Sequence, residues 1–309
     1  MQDFNSFHQV FKPEWGSPYT QDFLREIDVY RKSLSGILFI DRVLRSVGVT
    51  KPRSYPPKGD NGLYQLHYQV CESDHSDHQK LSVFYYMLLD FNEHLGLQSR
   101  INFAELFATR FGLPKKYEIF MRGLWHLDRQ QFSHALQDLA HPSLSPEFAD
   151  DIITVLVKNA EDSEYSLALA YYHAVQPVLR KPESLSLLFG ALARTSLTEA
   201  FYFSQAHPEQ TRQLLFEQLI ASVLDGSGHD VAARAAELVS LPLDSAEERW
   251  FEEYLTSGSG RKLRKAKDTV LMRRVVTGRH AESLGDRDLG GQWNVVLGGF
   301  KSGMGGRTA

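Results

Sequence analysis

Apolar residues recur every three or four positions along nearly the whole chain, and strict alternation is absent over useful lengths. A period near 3.6 marks helices with one face in a core, so the pattern predicts an all-α protein. Ser17-Pro18 opens a helix carrying Phe23, Ile27, Tyr30, Leu34 and Leu38 and running on to Val47. Proline there loses no hydrogen bond, because a first-turn N–H has no intrahelical partner. Lys51 to Gly62 is a loop rich in proline and glycine, and Tyr55 within it reads as extended chain lying on a surface. Leu63 to Cys71 is a short helix. Leu81 to Leu95 is strongly apolar over one wide face, which predicts deep burial.

Further helices are predicted at Phe103–Phe111, Tyr117–Leu127 and Phe132–Leu139. From Pro146 onward they fall at about 147–159, 163–176, 183–194, 197–206, 208–224, 229–239, 245–256 and 262–277. Pro177, Pro182, Pro208, Gly226, Pro242 and Gly258 punctuate them. Short connections between such helices favour antiparallel neighbours, and many pairs in series stack. No fixed repeat period is present. The expected architecture is therefore an irregular α-solenoid of short antiparallel helices with a flexible, glycine-rich C-terminal tail.

Composition changes this picture little. The chain has 309 residues, 42% hydrophobic and 23% charged, which supports a real core and excludes global disorder. Its single cysteine, Cys71, cannot form an internal disulfide and points to a reducing compartment. With neither a signal-peptide pattern nor a long apolar run, a soluble intracellular protein is expected. Charge is more telling. Residues 1–260 hold 34 acids and 23 bases, a net of about −11, whereas 261–279 hold eight bases and one acid. Arg261, Lys262, Arg264, Lys265, Lys267, Arg273 and Arg274 carry this basic helix beside an apolar stripe of Leu263, Val270, Leu271 and Val275. The stripe predicts docking on the acidic body; a protein partner and nucleic acid are the other readings of the charges. In the tail, Trp293, Val296 and Phe300 form an apolar island of the kind short docking peptides use.

Catalytic patterns are missing. Cys71, His75 and His78 cluster, with His67 nearby, but a second cysteine ligand for zinc is lacking. No nucleophile elbow or phosphate loop occurs; Lys301-Ser302 follows a Gly pair without the required spacing. No enzyme activity, metal or cofactor is expected, and no small-molecule substrate.

A series of motifs from about Phe84 to Leu224 carries a resemblance. Tyr85-Tyr86-Met87-Leu88-Leu89-Asp90 is followed by Arg110-Phe111-Gly112-Leu113-Pro114, then by Arg122-Gly123-Leu124-Trp125-His126-Leu127-Asp128. After them come Phe132, Ala135, Leu139, the His141-Pro142-Ser143-Leu144 turn, Leu167 to Tyr172 and Leu197 to Phe201. Order and spacing resemble the ELYS-like domain of nuclear pore complex assembly proteins. From the residues alone, Trp125 is a core anchor, Gly123 admits a close neighbour, and Asp128 caps the following helix. The resemblance implies a structural nucleoporin at the nuclear envelope, in the Y-shaped outer-ring complex of the pore. The implied partners are the long short-arm subunit of that complex and its small propeller neighbour. Animal members add a β-propeller and a chromatin-binding region with AT-hooks. This chain enters helix by about Ser17 and lacks an Arg-Gly-Arg-Pro core, so the short fungal form or an excised helical domain is expected. The alternative is a chromatin or nucleic-acid adaptor acting through the basic helix. The expected organisation is an N-terminal helical region (1–80) with its Pro-rich loop (51–62), an ELYS-like helical domain (81–260), the basic amphipathic helix (261–279) and the tail (280–309).

Overall fold

The computed structural model describes residues 3–99, 101–226 and 230–279, with 293, 295, 298 and 299 beyond them. Helix is the regular secondary structure of these residues, with no strand among them. No helix of the described residues is long and apolar enough to cross a membrane. The chain divides into two compact units, residues 1–179 and 180–309.

The first unit holds α1 (Phe7–Val10), α2 (Gln21–Ser33), α3 (Phe39–Ser46), α4 (Gly59–Cys71), α5 (Asp77–Ser99), α6 (Phe103–Phe111), α7 (Lys115–Asp128), α8 (Phe132–Leu139), α9 (Ala149–Lys158) and α10 (Ser166–Val175). Helix α5 is its axis. Val83, Phe84, Tyr86, Met87 and Leu88 are fully buried although they point in every direction around the helix. Such all-round burial requires neighbours on all sides, and α3, α4, α6 and α7 supply them. Helices α7 and α8 form the tightest pair. Gly123 makes this possible, since a Cβ there would sit 2.6 Å from Leu139 Cγ. Gly112 ends α6 in the left-handed region, at φ 67°, where side chains are costly.

The segment ahead of α5 belongs to this core. Val10 and Phe11 are buried, and the Phe11 ring stacks on Phe91 with centroids 5.6 Å apart. The His67 ring stacks on Phe84 at 4.8 Å. Two expectations are corrected here. The helix read from Ser17 to Val47 is two helices, broken where Ser35 and Gly36 adopt positive φ. Tyr55, read as surface chain, is fully buried. Both corrections trace to buried acids on α5 and α7, described below.

The second unit contains α11 (Pro182–Thr195), α12 (Leu197–Gln205), α13 (Glu209–Leu224), α14 (Val231–Ser240), α15 (Ser245–Thr256) and α16 (Ala266–Val276). Helix α11 touches α12 and α13, α12 touches α13 and α14, α13 touches α14 and α15, and α14 and α15 both touch α16. Contact with the next helix and the next but one is the solenoid pattern. Leu188, Phe189, Leu192, Phe201, Phe216, Leu219 and Phe251 are its fully buried centre. The observed limits of α11 to α15 follow the predicted helices within a few residues, because prolines and caps mark them: Pro182 stands in the first turn of α11, Ser196 caps α12, and Asp244 with Glu247 makes a capping box on α15. The helix predicted from 262 is corrected: Lys265 adopts positive φ and α16 starts at Ala266.

Candidate functional site

A knot of buried polar side chains lies at the centre of the first unit. Asp90 of α5 is wholly buried and accepts four hydrogen bonds. Its Oδ2 takes the hydroxyls of Tyr19, at 3.0 Å, and Tyr55, at 2.9 Å. Its Oδ1 takes the Trp125 indole N–H at 2.9 Å and Arg129 Nη2 at 2.6 Å. Arg129 lies over the Trp125 ring, 4.1 Å from its centroid, and donates Nε to Glu93 at 2.8 Å. Burial pushes the Asp90 carboxyl up from the ordinary carboxylate range, while Arg129 and the other donors pull it back. A shell of donors suits the ionised carboxylate, so the pair is held charged in the core.

Asp128, one position before Arg129, does a second job. It accepts from the backbone N–H groups of Phe39, at 2.6 Å, and Ile40, at 3.0 Å, and from the Tyr86 hydroxyl at 2.8 Å. It therefore caps α3, far upstream in sequence, and not the following helix as expected from local spacing. The first residue of α8 follows Gln131, whose side chain makes no cap bond. A fresh helix start needs acceptors for its free N–H groups; Asp128 supplies them, which explains why the chain breaks after α2 and begins again at Phe39. Burial pushes the Asp128 carboxyl up to about 6, against the lowering effect of these bonds.

The Pro-rich loop is held from beneath by the same knot. Besides its hydroxyl bond to Asp90, Tyr55 offers its carbonyl to Arg31 Nη2 at 2.7 Å. Arg31 is itself buried and pairs with Asp41 at 3.0 Å. Every bond of this knot runs between residues described within the first unit, and together they join α2, α3 and the loop to α5 and α7. The chemistry is structural. Tyr19, Tyr55 and Tyr86 have their hydroxyls driven well above the ordinary value by burial, so none is a ready base or nucleophile.

The Cys71 cluster is likewise quiet. Burial raises the Cys71 thiol to about 11, and Sγ lies 3.6 Å from His67 Nε2. His67 Nε2 is 2.9 Å from the Phe4 carbonyl, and burial lowers its pKa. Among the described residues, no group of three His, Cys, Asp or Glu side chains is placed to hold a metal.

The basic segment lies in the second unit. Lys265 has positive φ and separates a 3-10 turn, Ser259–Lys262, from α16. Helix α16 buries Ala266, Val270 and Leu271 against α14 and α15. Arg273 is buried with them. It donates Nη1 to the Val239 and Leu241 carbonyls, both at 2.6 Å, and Nε to Glu248 at 3.0 Å. Arg274 pairs with Glu252 at 3.3 Å, and Arg279 with Glu248 at 2.6 Å. Arg261, Lys262, Arg264, Lys265 and Lys267 are exposed. Trp293 donates its indole N–H to Asp268 of α16 at 2.8 Å. Val296 and Phe300 lie outside the described residues, as do 280–292.

Among the described residues, the arrangement thus offers exposed helical faces over a buried polar network, with no group of His, Cys, Asp or Glu side chains converging on a metal position. A profile of the ELYS family, described as nuclear pore complex assembly, matches residues 37–258. The uncharacterized protein ely5 of Schizosaccharomyces pombe is 30% identical over 237 residues, covering 74% of this chain and 72% of the relative. The matched span contains Asp90, Trp125 and Asp128, the residues that build the knot.

Proposed function

Because the chain belongs to the ELYS family of nuclear pore complex assembly proteins, we propose that it is a structural, non-catalytic nucleoporin acting at the nuclear envelope. In this reading it binds the Y-shaped outer-ring complex, through the long short-arm subunit and its small propeller neighbour. The observation that carries the proposal is the coincidence of the family's motif residues with the polar knot: Asp90, Trp125 and Asp128 are used to set the relative placement of helices, not to meet a substrate. A protein whose polar side chains are spent on internal geometry works through its surface. The docking elements on this reading are the exposed cations Arg261, Lys262, Arg264, Lys265 and Lys267, with Arg273 and Arg274 holding the adjoining helix α16 in place. Trp293, Val296 and Phe300 of the tail complete the set.

Co-elution in size-exclusion chromatography with reconstituted outer-ring subunits tests it. Retention by the short arm is expected; passage of the chain free of every subunit contradicts it. A second reading, a chromatin or nucleic-acid adaptor, is supported by the five exposed cations of 261–267. A duplex DNA shift across a salt series separates it, since phosphate binding weakens steeply with salt and no shift at low salt removes it.

A further inference from the structure

Above the buried knot, the Pro-rich loop and helices α2 and α4 enclose a cleft of about 550 Å³. Its lining is basic, although residues 1–260 as a whole are acidic. Arg25, Lys51, Arg53 and Lys58 are all exposed at its edge. Asp28 is the acid among the lining residues, and it lies 3.6 Å from Arg31 Nη1. Lys51, Arg53 and Lys58 make no ion pair among the described residues, while Arg25 has only an exposed contact with Asp22 at 3.2 Å. Unpaired like charges gathered on one loop repel each other, and an anionic occupant relieves that repulsion.

The loop presenting these cations is held rigid. Tyr55 is fastened at both its hydroxyl and its carbonyl, as described above. Pro52, Pro56 and Pro57 restrict φ on either side of it. The loop also rests against α4 at Gly62, where a Cβ would come within 3.3 Å of the Pro57 carbonyl carbon. A pre-organised loop loses little freedom on binding. Gln65 and Gln69 line the α4 wall with amides that suit an extended backbone, and Leu24 and Leu66 give an apolar floor.

We propose that this cleft binds an extended acidic segment of a partner protein, its carboxylates on Arg25, Lys51, Arg53 and Lys58 and its backbone along Gln65 and Gln69. Nucleic acid is the poorer fit. Single strands are gripped by exposed rings on which bases stack, and the one aromatic ring in the lining, Tyr55, is fully buried.

Fluorescence anisotropy of the full chain with a fluorescein-labelled peptide of Glu, Asp and Leu tests this at near-physiological salt. Saturable binding is expected. Lys51→Glu/Arg53→Glu/Lys58→Glu should weaken it by about tenfold or more, as charge reversal does at complementary surfaces. The neutral set Lys51→Gln/Arg53→Gln/Lys58→Gln should weaken it less, and serves if the reversed variant melts early. Reversal of Arg261, Lys262 and Arg264 should leave it unchanged. The proposal is overturned if the wild type does not bind, if the cleft variants bind like wild type, or if an oligothymidylate of equal charge occupies the cleft more tightly than the peptide.

Discussion

The central charge pairs of the two units are sealed to different degrees, although Glu118 and Asp138 of the first unit, too, have partners that reach water. In the first, both members of the central pair are sealed from water: the side chains of Arg129 and Asp90 are 1% and 0% exposed. In the second, each buried charge keeps a partner at the surface. Glu247 is wholly buried, yet its partner Arg212 is 20% exposed, and Arg212 reaches out to the half-exposed Asp244. Arg273 is buried, but Glu248 is 19% exposed. The second set also sits at helix ends, on a capping box or on terminal carbonyls, where it satisfies free backbone groups. Both sets join elements distant in sequence: Asp90 and Arg129 are 39 residues apart, Arg212 and Glu247 are 35 apart. A sealed charge must be satisfied wholly by protein donors and acceptors, whereas a charge at the edge of a core shares that task with water.

The comparison is most exposed to failure at Arg129. Arg129→Met strands Asp90 in the core with no countercharge, and breaking a buried pair on one side costs about 3–5 kcal/mol. Urea denaturation should show that loss, and a change below about 1 kcal/mol would place the pair on a par with surface contacts.

Next in size is a pH effect. Asp128 has a folded pKa of about 6, above the ordinary aspartate value of 3.8. Between those values the folded chain binds the proton and the unfolded chain does not, so this group's contribution to stability rises as pH falls through the window. Relative to Asp128→Asn, the wild type should gain up to about 3 kcal/mol from pH 7 to pH 4. A flat difference across that range would show that the three donors hold Asp128 at its ordinary value.

Arg273→Met probes the second unit. It leaves the Val239 and Leu241 carbonyls without their donor, but Glu248 keeps water and Arg279. A cost of about 1.5–3 kcal/mol is expected from charge-assisted hydrogen bonds, below that of Arg129→Met. The reverse order would invert the distinction. Arg25→Ala is the smallest. Its partner Asp22 is 91% exposed, so thermal melting should move by less than an equivalent of about 0.5 kcal/mol.

The limits of α11 to α15 were legible because their signals are local: a proline at Pro182, a cap at Ser196, a capping box at Asp244. The burial of Trp125 and the tight approach at Gly123 were legible for the same reason, from volume and its absence. What local pattern missed is long-range. Asp128 has the right chemistry for a cap, but spacing points to the next helix, whereas its oxygens reach Phe39 and Ile40. The break at Gly36 is invisible without that cap. Tyr55 stands among prolines and so reads as surface, since nothing adjacent reveals that Asp90 and Arg31 receive it. One signal was available: Asp90 interrupts the run Phe84 to Phe91 on a helix apolar all round, and an acid there must find buried donors. In the basic segment, net charge marked the residues but not their split. Arg273 and Arg274 lie on α16 and are joined to α15, whereas Arg261, Lys262, Arg264 and Lys265 precede α16 on an exposed turn that breaks at Lys265.

Native-state hydrogen exchange at the amides of Phe39 and Ile40 tests most directly whether the N-terminal helices are tied into the core by sealed charge. If the Asp128 cap holds as described, both amides exchange only when α7 unfolds, with the same free energy of opening as the α7 amides. Exchange at loop-like rates, while α5 and α7 stay protected, would show the N-terminal helices opening on their own and would contradict the account.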